Sequence, residues 1–376
     1  MHNKTYCQFA DTGLFFSHRG PGFCCDPAKK YPGLDAQEWW NSEYRKQSVE
    51  KMKNGEKVDD CTGCYKLEEK NELSNRIMFN KKQNFMSSKK ALPRQIDLDL
   101  SNFCNLKCIM CSAERSSQWA KEKGINLEKN GVNSMAYDQI DKICVLSHDL
   151  EYLQIQGGEP SIMPEYDYYF EYLHRHDLMK NIEVSTITNL TNLNNKFFKF
   201  LEHFKRSYVL VSVDSYGAAN DYIRYPSSFS QIEKNLIMMS KSKAVISLQI
   251  ALEAISMFNF DSFLDWMARM TDIYKQNGKT LKIFCQKVYD PHELCVYNAP
   301  TKLKEKFIAD IVHFFSSTKT LNHNHKFKIE MFKMQKSLLE ERKDPHVDLI
   351  KFIENIDKKR NIKITDYVSD FYNYFQ

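Results

Sequence analysis

Cys104-Asn105-Leu106-Lys107-Cys108-Ile109-Met110-Cys111 sets three thiols in one short stretch, with three residues and then two between them. It follows Gln95-Ile96-Asp97-Leu98-Asp99-Leu100, where polar and apolar side chains alternate with the period of a β-strand. The thiols therefore crowd a loop at a strand's C-terminal end. An iron–sulfur cube ordinarily takes four cysteine thiolates. Three close ligands without an adjacent fourth suit a cube with one iron open to another donor. A zinc site or buried structural thiols are the other readings of these residues.

Beyond the loop the chain alternates. Strand-like runs fall at 96–100, 153–156, 182–187, 208–213, 245–251 and 281–288, with helical patterns between them at 137–146, 166–174, 194–203, 230–240 and 258–274. Strands separated by helices imply a parallel sheet, either doubly wound or closed into a partial barrel. The second run ends Gln156-Gly157-Gly158-Glu159-Pro160, where paired glycines let backbone approach a ligand closely. The third ends Thr188-Asn189-Leu190, which also reads as an Asx turn before a helix. The fourth carries Ser212-Val213-Asp214, and Arg224 follows ten residues after Asp214.

The C-x3-C-x2-C loop after a first strand, followed by Gly-Gly-Glu-Pro after the second, resembles the radical SAM superfamily. The resemblance selects a partial (β/α)6 TIM-like barrel within the α/β class. It implies a [4Fe–4S] cluster on Cys104, Cys108 and Cys111, with S-adenosylmethionine on the open iron. Cleavage of that cofactor gives a 5′-deoxyadenosyl radical that abstracts hydrogen from substrate. By the same resemblance Gly157, Gly158, Glu159 and Pro160 face the cofactor's methionine end. Thr188 and Asn189 face ribose or substrate, and Ser212, Asp214 and Arg224 form the Ser-x-Asp…Arg set, the arginine taking the carboxylate. An arginine fork suits a carboxylate; a surface ion pair is the plainer reading. Two departures stand out. Met110 occupies a place usually aromatic, and Leu190 replaces a glycine.

The first 90 residues hold a second thiol set. Cys7 precedes the run Gly13-Leu14-Phe15-Phe16, a turn follows, and Cys24-Cys25 come next, as in a small hairpin. After a helical stretch with Trp39, Trp40 and Tyr44, Cys61-Thr62-Gly63-Cys64 has the spacing of a metal knuckle. Cys7, Cys24, Cys61 and Cys64 make four thiolate ligands, with Cys25 competing for the Cys24 place. Four thiolates suit zinc as well as iron. The layout resembles a twitch module, the shortened SPASM-like domain that carries an auxiliary [4Fe–4S] cluster, here placed before the barrel. Residues 65–90 read as a helix and linker.

The expected organisation is residues 1–90 as the Cys-rich module and linker, 91–300 as the barrel, and 301–376 as a helical extension. The last contains helices near 303–315, 327–339 and 347–356, a break at Pro345, and an aromatic tail that docks on the fold. With 376 residues, 42% hydrophobic residues and a net charge of +5, the chain can bury a core and does not imply a nucleic-acid partner. No apolar run reaches the roughly 20 residues of a membrane helix. The start lacks a secretory pattern, so a cytoplasmic protein is expected. Eleven cysteines then argue for metal or redox use over disulfides.

The expected activity is radical SAM oxidation of a small molecule, nucleotide or peptide, with electrons supplied by a flavodoxin- or ferredoxin-type donor. One alternative is a radical epimerase or isomerase in which Cys285, on the sixth strand, returns a hydrogen atom; a buried thiol is also commonly just a small hydrophobe. Another is a non-catalytic zinc-binding adaptor.

Overall fold

The sheet is built from the runs whose side chains alternate or are apolar throughout. In the computed structural model its strands are β1 (Gly13–Ser17), β2 (Gly20–Gly22), β3 (Gln95–Asp99), β4 (Tyr152–Gln156), β5 (Glu183–Thr188), β6 (Arg206–Ser212), β7 (Val245–Leu252) and β8 (Lys282–Lys287). The structure describes residues 5–25, 31–81, 91–125, 131–317, 321, 324–340 and 346–375. The six strands read from the sequence are β3 to β8. Each is joined to the next through helical segments, as the expected partial (β/α)6 barrel requires.

The chain divides into two compact units, residues 1–103, 126–186 and 195–207 in the first, and 104–125, 187–194 and 208–376 in the second. In the first, β3 pairs parallel with β4, and β4 with β5. Ile96, Leu98, Leu153 and Ile155 are fully buried. On the opposite face of these strands Gln156 donates to Asp97 Oδ1 at 2.8 Å, which satisfies one oxygen of that buried carboxylate. Phe170, on the helix Pro164–Arg175, stacks on Phe197 and meets Phe200 and Phe204 edge-on.

The N-terminal hairpin forms, with β1 and β2 antiparallel. Its relation to the sheet was not legible in the sequence. β1 pairs parallel with β3 along its whole length, Gly13 opposite Gln95 and Ser17 opposite Asp99. The Leu14-Phe15-Phe16 run is buried on both faces, which a two-stranded hairpin in water cannot achieve and a sheet strand can. Around it, Asp35 and Glu38 form a reciprocal capping box on the helix Ala36–Asn41. Arg45 lies over Trp40 and donates to the Ala10 and Asp11 carbonyls at 2.9 and 2.8 Å. The helix expected after Cys64 is two, Thr62–Glu69 and Asn75–Lys81; the linker over 82–90 lies outside the described residues.

In the second unit β6, β7 and β8 are parallel. Its three C-terminal helices run Thr301–Ser317, His325–Glu340 and His346–Arg360; Pro345 is outside the described residues. The aromatic tail docks except at Tyr372, which is exposed. Phe371 is fully buried and stacks on Phe258, and Tyr367 packs on Tyr222.

Candidate functional site

The three-thiol loop is held by bonds to its backbone, so its path is set before any ligand arrives. Cys104 N–H donates to Ser117 Oγ at 3.2 Å, and Ser116 Oγ donates to the Leu106 carbonyl at 2.6 Å. Trp119 Nε1 donates to the Cys108 carbonyl at 2.6 Å. The N–H groups of Lys107 and Ile109 donate to the carbonyls of Tyr225 and Ile223 at 2.7 and 2.8 Å. Cys104 is buried, and Cys108 and Cys111 are half-buried. Loss of water around the sulfurs pushes Cys108 up to about 12 and holds Cys111 above the usual thiol range. A thiol in such a place ionises when a metal takes its proton's position, so metal uptake and deprotonation are one event.

The Gly157-Gly158 turn sits on the backbone that leads directly into Cys104. Gly158 N–H donates to the Ser101 carbonyl at 3.0 Å, and Glu159 N–H to the Phe103 carbonyl at 2.8 Å. Gly157 has φ +130°, a conformation that only glycine adopts readily. A Cβ on it would meet Ser101 O at 2.7 Å and Asp99 Oδ1 at 3.0 Å. The Glu159 carboxylate accepts from Ser161 N–H and Oγ at 3.2 and 2.5 Å, which caps the short turn Pro160–Ile162. In this structure it holds the loop.

Thr188 and Asn189 close the end of β5. Thr188 Oγ1 accepts from Leu190 N–H at 3.0 Å, and Asn189 Oδ1 accepts from Thr191 N–H at 3.0 Å, the Asx turn of the plainer reading. Asn189 Nδ2 also donates at 2.9 Å to Asn105 Oδ1, within the cysteine loop. Leu190, where the resemblance led to an expected glycine, has φ +53°. That conformation costs a leucine about 1–2 kcal/mol, which full burial of the side chain, about 1.5–3 kcal/mol, offsets.

Ser212 ends β6 and is buried, as is Asp214. Arg224 is no surface arginine. Its Nε lies 2.7 Å from Asp214 Oδ2, and Nη1 is 3.8 Å from Cys108 Sγ. Asp214 Oδ1 accepts from Ala251 N–H at 2.8 Å, so the carboxylate ties the cysteine loop's arginine to β7. The sequence reading placed this arginine on a cofactor carboxylate; here its guanidinium already serves a carboxylate and a candidate cluster ligand.

Glu253, just past β7, went unnoticed in the sequence. It is fully buried, and burial raises its carboxyl to about 8. The folded state then holds a proton that the unfolded chain releases near pH 4.5, so stability falls as pH rises from about 4.5 to about 8. Glu253→Gln cannot ionise. Its stability in urea is expected to gain on the parent by ~1 kcal/mol or more between pH 5 and pH 8. Parallel pH profiles for the two proteins would refute this reading.

Among the N-terminal thiols, Cys7, Cys24, Cys61 and Cys64 line one small cavity with Phe23, Asp60 and Arg76. Cys25 is not among its lining residues. Burial pushes Cys7 up to about 11 and raises Cys61 as well. Asp60 accepts from the hydroxyls of Tyr31 and Tyr44, each at 2.6 Å. Cys285 lies on β8 with its thiol pKa raised by burial, then by Asp214 and Glu330. A second cavity, of about 480 Å³, opens at the end of β1 and is lined by His18, Arg19, Asp35, Glu38, Gln139 and Lys142 among others. Behind it His18 Nδ1 faces Asp99 Oδ1 at 3.4 Å, both side chains almost wholly buried. An aspartate repeated inside a strand, as at Asp97 and Asp99, was the available signal for such buried polar groups.

Among the described residues no three Cys, His, Asp or Glu side chains converge as metal ligands do. The fit to a cluster with bound S-adenosylmethionine rests on the donor set and the cradle. Three thiols share one braced loop, a cation touches one of them, and a side-chain-free turn packs on Ser101–Phe103. Those features suit the group. Among the described residues no helix is long and apolar enough to cross a membrane.

Residues 98–252 match the family model of the radical SAM superfamily. No curated protein matches the chain. Among solved structures it is similar to native anSMEcpe with bound AdoMet, at 19% identity over 61% of this chain and 62% of that one, TM-score 0.41. It is similar to Streptococcus suis SuiB bound to precursor peptide SuiA, at 12% identity over 69% of this chain and 61% of that one, TM-score 0.40. It is also similar to TYW1 with a lysine-pyruvate adduct bound, at 14% identity over 55% of this chain and 70% of that one, TM-score 0.30. The chain thus spans 62% of the anSMEcpe chain and 61% of the SuiB chain.

Proposed function

We propose that this protein is an enzyme that oxidises its substrate by reductive cleavage of S-adenosylmethionine, on the premise that residues 98–252 match the radical SAM superfamily model. A [4Fe–4S] cluster held by Cys104, Cys108 and Cys111 supplies, when bound, the electron that yields a 5′-deoxyadenosyl radical. The chain's own residues do the rest. The Gly157-Gly158 turn leaves room and backbone groups for the cofactor's methionine end, Arg224 balances charge at Cys108, and Thr188 and Asn189 shape the adjoining loop. Cys7, Cys24, Cys61 and Cys64 would hold a second cluster, which would supply an electron acceptor, with zinc as the alternative occupant. A flavodoxin- or ferredoxin-type protein is the electron donor. The substrate is a small molecule, nucleotide or peptide.

The observation that carries this reading is the seating of a side-chain-free turn on Ser101–Phe103, the backbone immediately before the first thiol. Anaerobic reconstitution followed by reductant and S-adenosylmethionine tests it. Expected are about eight irons per chain and 5′-deoxyadenosine, with the nucleoside lost when the three loop cysteines become alanine. A colourless zinc protein, or an unchanged nucleoside yield in the triple variant, refutes it.

One observation favours a second reading. Cys285 lies on β8 opposite Ile250 of β7, near enough to Asp214 to feel its charge, and a neutral S–H is the form that donates a hydrogen atom. On that reading the reaction is an epimerisation or isomerisation. Turnover unchanged in Cys285→Ala would exclude it and leave the oxidation.

A further inference from the structure

The C-terminal segment 301–376 carried no assigned role, and the last residue of its third helix reaches the cysteine loop. Arg360 ends the helix His346–Arg360 with its side chain fully buried. Its Nη2 donates at 2.7 Å to the carbonyl of Lys107, the residue before Cys108. Its Nε lies 3.3 Å from both carboxylate oxygens of Glu122. The guanidinium stands 5.1 Å from the Trp119 ring and 5.3 Å from the Tyr225 ring. Those rings belong to the same framework. Trp119 donates to the Cys108 carbonyl, and the Tyr225 carbonyl accepts from Lys107 N–H.

The charges are also uneven. Glu122 pairs with both Lys107 and Arg360, two cations against one carboxylate. The Arg360 guanidinium places a buried positive charge beside the loop, where it favours thiolate ligands. The helix cannot slide away easily. Asp357 accepts from the Tyr222 hydroxyl at 2.8 Å and from Ile364 N–H at 2.8 Å, so both the helix and the following tail are pinned.

We propose that Arg360 is a positioning residue for the three-thiol site, and that the C-terminal helix is a strap holding the cysteine loop in the shape and field a cluster requires. This rests on the reading of the loop as a cluster site. Arginine is suited to the task because one planar group can stack beside two rings while its edge donates to a carbonyl and a carboxylate. Lysine keeps the charge and loses the plane and the fork.

The test compares the reconstituted full-length protein with Arg360→Ala and Arg360→Lys. Three quantities are measured: the reduced-cluster electron paramagnetic resonance signal that shifts on adding S-adenosylmethionine, its rate of loss to a chelator, and its midpoint potential. Arg360→Ala is expected to lose the shifting signal at least ten times faster than the parent and to show a more negative potential. Arg360→Lys should keep the potential and lose the signal faster than the parent. A purely structural role would leave the potential of the assembled cluster unmoved. Parental rate and potential in Arg360→Ala overturn the proposal. Should Arg360→Ala fail to fold, Arg360→Lys decides, a parental loss rate overturning the strap and a faster one supporting it. A parent protein without any signal that responds to S-adenosylmethionine overturns the cluster reading itself, and the strap with it.

Discussion

Gly158→Ala is expected to lower 5′-deoxyadenosine formation by ~100-fold or more, because a misplacement of about 1 Å at a reacting site is enough for that loss. A Cβ at this position points into the Phe103 carbonyl group and comes within 2.7 Å of the Asn102 carbonyl carbon. Both neighbours are main chain, so no side chain can rotate aside. The strain must move either the turn or the Asn102–Phe103 backbone it packs on. The overpacking itself should cost about 1–3 kcal/mol, small enough for the variant to fold. Single-turnover nucleoside release, read beside a urea melt, separates the two effects. A variant that keeps parental nucleoside yield would show that this turn does not serve the cofactor.

Asp214→Asn is expected to have the largest effect on stability, about 3–5 kcal/mol, the usual cost of removing one partner from a buried ion pair. Asp214 is fully buried and Arg224 nearly so, and the pair is close at 2.7 Å. An asparagine can still accept from Ala251 N–H through its carbonyl, so the bond to β7 survives in kind. What is lost is the charge that balances Arg224. The guanidinium would then face only neutral partners and the Cys108 sulfur, 3.8 Å away. The measurement is the midpoint in urea of the unreconstituted protein. A shift equivalent to less than about 1 kcal/mol would place the pair among exposed salt bridges in worth, against its burial. Cluster uptake should partly rescue the variant, since thiolates restore negative charge beside the arginine.

Much of this was legible in the linear sequence where the chemistry is local. Thiol spacing, a Gly-Gly pair and a strand's alternation are short-range patterns, and β3 to β8 fell within a residue or two of the runs that predicted them. The helix at Tyr137–Leu146 was read to the residue. What stayed illegible were pairings with a partner distant in the chain. The Gly13–Phe16 run promised a hairpin, yet its larger pairing is with β3, some 80 residues on. The roles of Glu159 and Arg224 stayed ambiguous because a carboxylate or a guanidinium near a turn has many possible partners, and only the fold selects Ser161 for one and Asp214 for the other.

By itself, the order of residues determined the α/β alternation, the three-thiol loop, the glycine turn and the four N-terminal cysteines, since each is fixed by spacing and by the conformations particular residues allow. Tertiary structure alone decided that Cys7, Cys24, Cys61 and Cys64 share one cavity, that His18 backs onto Asp99, and that Arg360 reaches Lys107. The reason is physical. Hydrogen bonds, ion pairs and burial act over a few ångströms in space, and positions far apart along a chain carry no local sign of meeting there.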